Sequence, residues 1–170
     1  ASQTVNLGAG FVFTDDAPSV TASGTAAATL TVDETTLSTD ASASFANVFT
    51  VNYGADGAGS TAYALNVVNA ASGLIDTATG QAVTMSVVNG QIVGTAGGNT
   101  VFTISVSASG VVTLDQLRAV QHADGNNAND TVALPAGSIS LTATATDKDG
   151  DKASQTVNLG AGFVFTDDAP

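Results

Sequence analysis

The sequence predicts an all-β sandwich, and three observations predict it. Val and Thr are abundant while aromatic residues make up only 5% of the chain, and β-branched side chains suit a pleated, half-buried surface. Roughly ten short stretches alternate apolar with polar residues, the period-two signature of strands. Gly, Asn and Asp interrupt them at turn spacing, most clearly at Asn89-Gly90. At 170 residues the chain can bury one substantial core.

Taken in order, Thr4 to Leu7 and Phe11 to Phe13 are strand candidates, with Gly8-Ala9-Gly10 as a kink between them. Thr14 to Pro18 breaks the pattern. Proline holds its predecessor extended, so this reads as a stiff linker. Ala26 to Val32 places Ala28, Leu30 and Val32 on one face. Phe45 to Val51 gives a strand, and Tyr63-Leu65-Val67 another. Val83-Met85-Val87 and Gln91 to Val93 flank the Asn89-Gly90 turn. Val101 to Val106 follows, then a Ser109-Gly110 turn into Val111. Thr113 to Ala123 is the one helix expected: Thr113 and Gln116 form a capping box, and Leu114, Leu117 and Val120 recur every third residue. Asp124 to Asp130 is a polar loop. Ile139 to Ala145 is a long alternating strand, Asp147 to Asp151 a turn, and Thr156 to Leu159 the terminal strand.

Residues 1–18, ASQTVNLGAGFVFTDDAP, recur without change as residues 153–170. The offset of 152 residues defines the period of a tandem repeat. Perfect identity points to recent duplication of whole units, a habit of long extracellular spacers and rare in enzymes. The expected organisation is therefore residues 1–18 as the last strand and linker of a preceding repeat, 19–166 as the sandwich, and 167–170 as the start of the next linker. Thr4 to Leu7 should then be an orphan edge strand, and residues 1–10 are expected to be ordered by packing on this domain or on a neighbouring molecule.

Fifteen acidic residues face three basic ones, a formal charge of −12. That field repels nucleic acid and anionic membranes and attracts divalent cations. There is no Cys to brace the fold. No stretch reaches the ~20 apolar residues that span a bilayer.

The acids cluster. Asp147, Asp149 and Asp151 alternate through one turn, where their carboxylates are expected to converge on one point. Calcium takes six to eight hard oxygens in irregular geometry. The run departs from an EF-hand loop, because Gly150 falls at the fourth place and Asn158 stands where the bidentate Glu belongs. Asp15-Asp16 and its copy Asp167-Asp168 sit in the linkers, and Asp33-Glu34 follows a strand end. A metal shared between such pairs could lock one repeat against the next, and Asp167 and Asp168 would then await the following repeat. Asp56 could add a carboxylate, or simply serve its turn. The plain alternatives are a solvated Asp-Gly hairpin and a polar linker. Asp124, Asn126 and Asp130 read as a loop bonded to its own backbone.

Other motifs carry little. Gly57-x-Gly59-x-x-Ala62 has a dinucleotide-like spacing, but a strand follows it where that site needs a helix. His122 is the only histidine, there is no Cys, and one histidine does not build the usual zinc site. It is expected to pack or hydrogen-bond at the end of the short helix. Asn129-Asp130-Thr131 matches a glycosylation sequon. Thr142, Thr144 and Thr146 form a single threonine face, too small an array for ice.

At Tyr53-Gly-Ala-Asp-Gly, the Asp115 to His122 segment, Thr146-Asp-Lys-Asp-Gly-Asp-Lys and Phe165-Thr-Asp-Asp-Ala-Pro the chain resembles the long tandem repeats of type I secreted RTX adhesins, giant bacterial surface proteins. The resemblance covers essentially the whole period. It implies an immunoglobulin-like sandwich with extra strands, calcium near the inter-repeat junctions, and ligands at Asp147, Asp149, Asp151, Asp15 and Asp16. The linker is also similar to the calcium-binding linkers of cadherins. The function so implied is a calcium-rigidified extender on the bacterial cell surface that projects a distal ligand-binding region. Its partners would be adjacent repeats, with no nucleic acid, no membrane insertion, no small-molecule substrate and no enzymatic activity. A sandwich that itself binds a glycan or protein is the alternative, though the chain has no Trp to stack on a sugar ring.

Overall fold

The computed structural model describes residues 1–168. Ala169 and Pro170, the rest of the expected outgoing linker, lie outside the described residues. Fourteen strands follow in order: β1 (Ser19–Ala22), β2 (Leu30–Asp33), β3 (Ala41–Ser44), β4 (Phe49–Asn52), β5 (Ala58–Val67), β6 (Ala71–Ile75), β7 (Ala82–Val88), β8 (Gln91–Ala96), β9 (Asn99–Val106), β10 (Val111–Gln116), β11 (Thr131–Ala133), β12 (Ile139–Asp147), β13 (Lys152–Leu159) and β14 (Phe163–Thr166). The only helical turns among the described residues are short 3₁₀ pieces at Glu34–Thr36 and Ala46–Val48. None of them is long and apolar enough to cross a membrane.

The expected sandwich forms, with extra strands. One layer is a six-stranded sheet in the order β3-β10-β9-β8-β7-β6. Against it lie the sheets β13-β12-β5 and β11-β14-β2, with the β1-β4 pair beside them. Between the layers, Phe45, Phe102, Phe163, Phe165, Ile104, Leu114 and Leu141 are almost completely buried. Strand β12 runs through the middle of its sheet, and its alternate residues Ile139, Leu141, Ala143 and Ala145 face inward. Asn89 and Gly90 both take positive φ, 50° and 78°, as a two-residue hairpin turn requires.

Three expectations are corrected. First, the helix over 113–123 does not form. Thr113 to Gln116 belong to β10, where Val112, Leu114 and Gln116 face the core in strict alternation. The period of two outweighs the capping box, and Leu117 of the supposed apolar stripe is 48% exposed. Second, residues 1–13 form no strand and pack on nothing in this domain. Val5, Leu7, Phe11, Val12 and Phe13 are 67–94% exposed. Third, Phe45 is not in a strand; it precedes a 3₁₀ turn, and the strand starts at Phe49. Strands β1, β3, β6 and β11 carry too few large apolar residues to stand out in the sequence.

β13 and β14 set the long axis. β13 pairs with β12 along its whole length, then the chain crosses to the other sheet at Gly160, and β14 pairs parallel with β2 and antiparallel with β11. Phe163 packs on Phe45 and Phe165 on Phe102, so β14 carries on past the end of β13 rather than folding back. Extended chain rises about 3.3 Å per residue, so the Asp147 hairpin and Asp167 are on the order of 40 Å apart.

Candidate metal centre

At the hairpin end the geometry starts from Asp147. Its Oδ1 accepts from the backbone N–H of Gly150 at 3.0 Å and of Asp151 at 2.8 Å. This closes the β12–β13 turn and buries the side chain to 4% exposure. Its Oδ2 is buried with no hydrogen-bond partner. An unpaired buried carboxylate oxygen costs stability until something positive meets it.

Two further segments bring oxygens there. β5 enters beside Asp147 at a bulge, Ala58 lying opposite Asp147. Gly59 permits the approach, because a Cβ there would overlap the carbonyls of Thr146 and Asp147. The loop before β5 thereby presents Asp56. The N-terminal segment brings Asp15. Oxygens of Asp56, Asp147 and Asp149 lie within 4.8 Å of one another, and so do oxygens of Asp15, Asp149 and Asp151. The three turn aspartates therefore do not converge on one point. Asp147 is turned inward to hold the turn, and the five carboxylates form two adjoining groups that share Asp149.

The electrostatics follow. Asp149 is pushed up to about 6, first by the Asp147 carboxylate beside it, then by burial and by the charges of Asp15 and Asp56. Asp151 is raised through its hydrogen bond to Asp15 and that residue's charge. Asp147 is lowered, first by the Asp149 carboxyl beside it, with help from the backbone N–H groups of Asp151 and Gly150. One proton shared over crowded carboxylates is a poor substitute for a divalent cation.

Asp16 has a different task. Its Oδ2 accepts from Ala55 N at 2.8 Å and fastens the linker to the 53–57 loop. Gly54, at φ +70°, leaves room for it.

At the far end Asp33 and Glu34 separate. Asp33 is exposed and caps the 3₁₀ turn through Thr35 N at 2.8 Å; the Thr35 hydroxyl and this N–H hold its carboxyl below the usual range. Glu34 points inward. Its Oε1 accepts from Gln116 Nε2 and Val120 N, both at 2.8 Å, and stands 3.3 Å from His122 Nε2. Asp167 completes a group with Glu34 and His122 whose ligand atoms lie within 4.8 Å. His122 Nδ1 and Asp167 Oδ2 are buried without partners. Asp168 joins them in lining a cleft of about 300 Å³. Asp167 thus finds company within its own domain, which the sequence reading did not foresee.

His122 packs and hydrogen-bonds as expected, but its place in an acidic group with Glu34 and Asp167 is what sequence reasoning missed. No helix ends there; the imidazole is 1% exposed against Glu34, a residue 88 positions away. No local signal links the two. Asp124 and Asp130 behave as expected for a self-bonded loop: Asp130 Oδ2 accepts from Asp124 N at 2.8 Å, and Asp124 Oδ1 from Asn126 N at 3.2 Å.

The fold and these ends define a Cys-free β-sandwich module with a carboxylate centre where its incoming segment crosses a hairpin. The chain belongs to the family described as a domain of unknown function, DUF5801, whose model matches residues 29–160. The match takes in Glu34, Asp56, His122 and the Asp147–Asp151 hairpin, and leaves out the junction aspartates at 15–16 and 167–168. No curated protein and no solved structure matches the chain.

Proposed function

We propose that this chain is a calcium-rigidified extender repeat of a long bacterial surface adhesin, secreted and joined end to end with copies of itself. The observation that carries the reading is the buried, unpartnered Oδ2 of Asp147 at the meeting of five carboxylates from three chain segments. Hard oxygen donors in irregular array suit calcium. Asp15, Asp56, Asp147, Asp149 and Asp151 would hold it, and the ion would tie the incoming linker to the hairpin. At the far end His122 offers nitrogen, which calcium takes poorly, so the calcium reading stands on the hairpin end.

Extracellular modules bind calcium with Kd of about 10⁻⁴–10⁻³ M. At ~100-fold above Kd, each site adds about 2.7 kcal/mol to the folded form. Such a chain is loose where calcium is scarce and firm outside the cell. Placement of the two junctions at opposite ends of the sandwich favours a spacer over a compact binding module. Thermal unfolding of the 170-residue chain with calcium and with EDTA is the test. Calcium is expected to raise Tm clearly, and Asp149→Ala to remove part of the gain. Equal Tm in both conditions overturns the reading.

A further inference from the structure

The exposed N-terminal segment is apolar where exposure is costly, and its occupant is written in the sequence. Residues 1–16 are the same as 153–168, and the second copy shows the slot they fit. There Leu159, Phe163 and Phe165 are 9%, 1% and 0% exposed. Transferring the register by 152 residues sets Thr4 opposite Thr142, Val5 opposite Leu141 and Leu7 opposite Ile139. It also sets Phe11, Val12 and Phe13 beside Leu30, Thr31 and Val32. The same residues in the first copy meet nothing.

We propose that residues 3–14 are a donor strand pair for the β13–β14 slot of a second copy of this unit, the two copies joining head to tail.

The donor is unable to serve its own body. Asp15 is held beside Asp149 and Asp151, at the start of β13, whereas its counterpart Asp167 stands beside Glu34 and His122 at the end of β14. Phe13 would have to reach the place of Phe165 across nearly the whole sandwich, with two residues of chain that span at most about 7 Å. Donation therefore runs only between copies. The donor's hairpin end then abuts the acceptor's Glu34 end, and the donor's Asp15 stands where Asp167 now stands, between the two acidic centres.

In the intact chain the slot is filled from within, and a tethered strand outcompetes a free one by its high effective concentration. Donation emerges where the acceptor's own copy is impaired, or where residues 1–14 follow directly on another unit. The inference rests on the repeat half of the proposed function and is independent of calcium, because the slot is lined by core residues and ladder bonds.

The test uses full-length chains. The acceptor carries Phe163→Asp, Phe165→Asp and Thr142→Cys. The donor is otherwise unchanged and carries Thr4→Cys, in a protein that has no other cysteine. The wild-type pair Thr142 and Thr156 stand with hydroxyls 2.7 Å apart, so the donor's position 4, seated in the slot, brings the two sulfurs together. Mixing under mild oxidation in EDTA is expected to give a heterodimer joined by a disulfide between position 4 of the donor and position 142 of the acceptor. It should also restore the acceptor's folded near-ultraviolet signal. The heterodimer yield should fall about tenfold or more when the donor also carries Phe11→Asp and Phe13→Asp, since the two rings that seat the strand are lost and each 1.4 kcal/mol is a factor of ten in association. An acceptor that is unfolded alone still reports, because rescue by the donor is what is read. Cross-linking equal to that of the Phe11→Asp/Phe13→Asp control, or none at all, overturns the proposal. Repeating the mixture in calcium separates the two readings: persistence of the cross-link in EDTA with no calcium effect on Tm would sink the calcium reading alone.

Discussion

The two copies of one sequence differ in everything except what is local. In both, the Gly-Ala-Gly kink closes with a 2.9 Å bond, Phe11 N to Gly8 O in the first and Phe163 N to Gly160 O in the second. In both, the second junction aspartate donates its N–H to the carboxylate of the first, at 3.1 Å and 2.9 Å. In both, a glutamine amide donates to the carbonyl of the next threonine. Yet only 153–166 forms strands. Turns and Asx bonds are properties of the segment, whereas a strand is a property of its neighbours. Without β12 and β2 to pair with, the same residues have no ladder and no buried face.

The largest contrast lies in the aromatic residues. Phe165 is fully buried against Phe102 at a centroid distance of 5.4 Å, so Phe165→Ala is expected to cost about 3–5 kcal/mol. Phe13→Ala, its counterpart at 94% exposure, should fall within about 0.5 kcal/mol of zero. Urea denaturation of the two variants measures both. Equal losses would mean that the N-terminal copy is packed in solution.

Next comes a pair of aspartates shifted in opposite directions. Asp76 is buried and held down at about 2, first by its hydrogen bonds with Arg118 and then by Thr79. Its contribution is present above the ordinary carboxylate range near pH 4 and is lost as pH falls through about 2. Asp76→Asn should cost about 2 kcal/mol at neutral pH by removing charge-assisted bonds, and should flatten the acid limb of stability between about pH 4 and 2. Asp149 runs the other way. Raised to about 6, it favours the folded state below the unfolded value near pH 4, and that gain disappears as pH rises through about 6. In EDTA, stability should therefore increase on acidification from about pH 7 to 5, and Asp149→Asn should abolish the increase. Calcium-dependent stabilisation should shrink over the same range, as protons displace the ion. A pH-independent Tm in EDTA would contradict the crowded-carboxylate picture.

Glycines sharpen the comparison further. Gly8 and Gly160 share nearly the same backbone, with φ of 150° and 146°. A Cβ on Gly160 would overlap the carbonyl of Pro135, while one on Gly8 meets nothing within 4 Å. Both backbones disfavour a side chain, but only position 160 adds a clash, so alanine should cost less at 8 than at 160, where about 2 kcal/mol or more is expected, the range for a forced backbone shift. Differential scanning calorimetry of the two variants reads the difference.

What could be read from the sequence follows the same division. The Asn89-Gly90 hairpin, the alternation of β5 and β12, and the Asp147–Asp151 turn are set by neighbours in the chain, and they were legible. β10 was misread because a three-residue spacing of Leu114, Leu117 and Val120 coincided with a capping box, and only the partners β9 and β3 reveal that it is a strand. At the hairpin end, the turn aspartates were legible as a cluster, but their division into two groups is set by Asp15 and Asp56 arriving from elsewhere. Asp33 and Glu34 look alike as a pair, and nothing short of the fold separates the exposed cap from the buried carboxylate. His122 is legible as a packed, hydrogen-bonded residue, but its partner Glu34 is not, because only the fold, with Val120 bridged to Asp76, brings the two together.

The smallest expected effect tests the principle most cleanly. Thr156 and Thr142 bond across the strands at 2.7 Å on the exposed face, away from the core and from every carboxylate. Thr156→Ala removes one exposed cross-strand bond and should cost about 0.5 kcal/mol. Thr4→Ala changes the same residue in the same local sequence, where no strand stands opposite, and should leave stability unchanged. In the head-to-tail pair the assignment reverses: Thr4 takes the place of Thr156, so Thr4→Ala in the donor should weaken the joined complex by the same small amount. Sedimentation of that pair, with Thr142 kept in the acceptor and no cysteine in either chain, resolves such a change as about a twofold shift in association. If Thr4→Ala destabilised the isolated chain as much as Thr156→Ala, the segment would already be paired there.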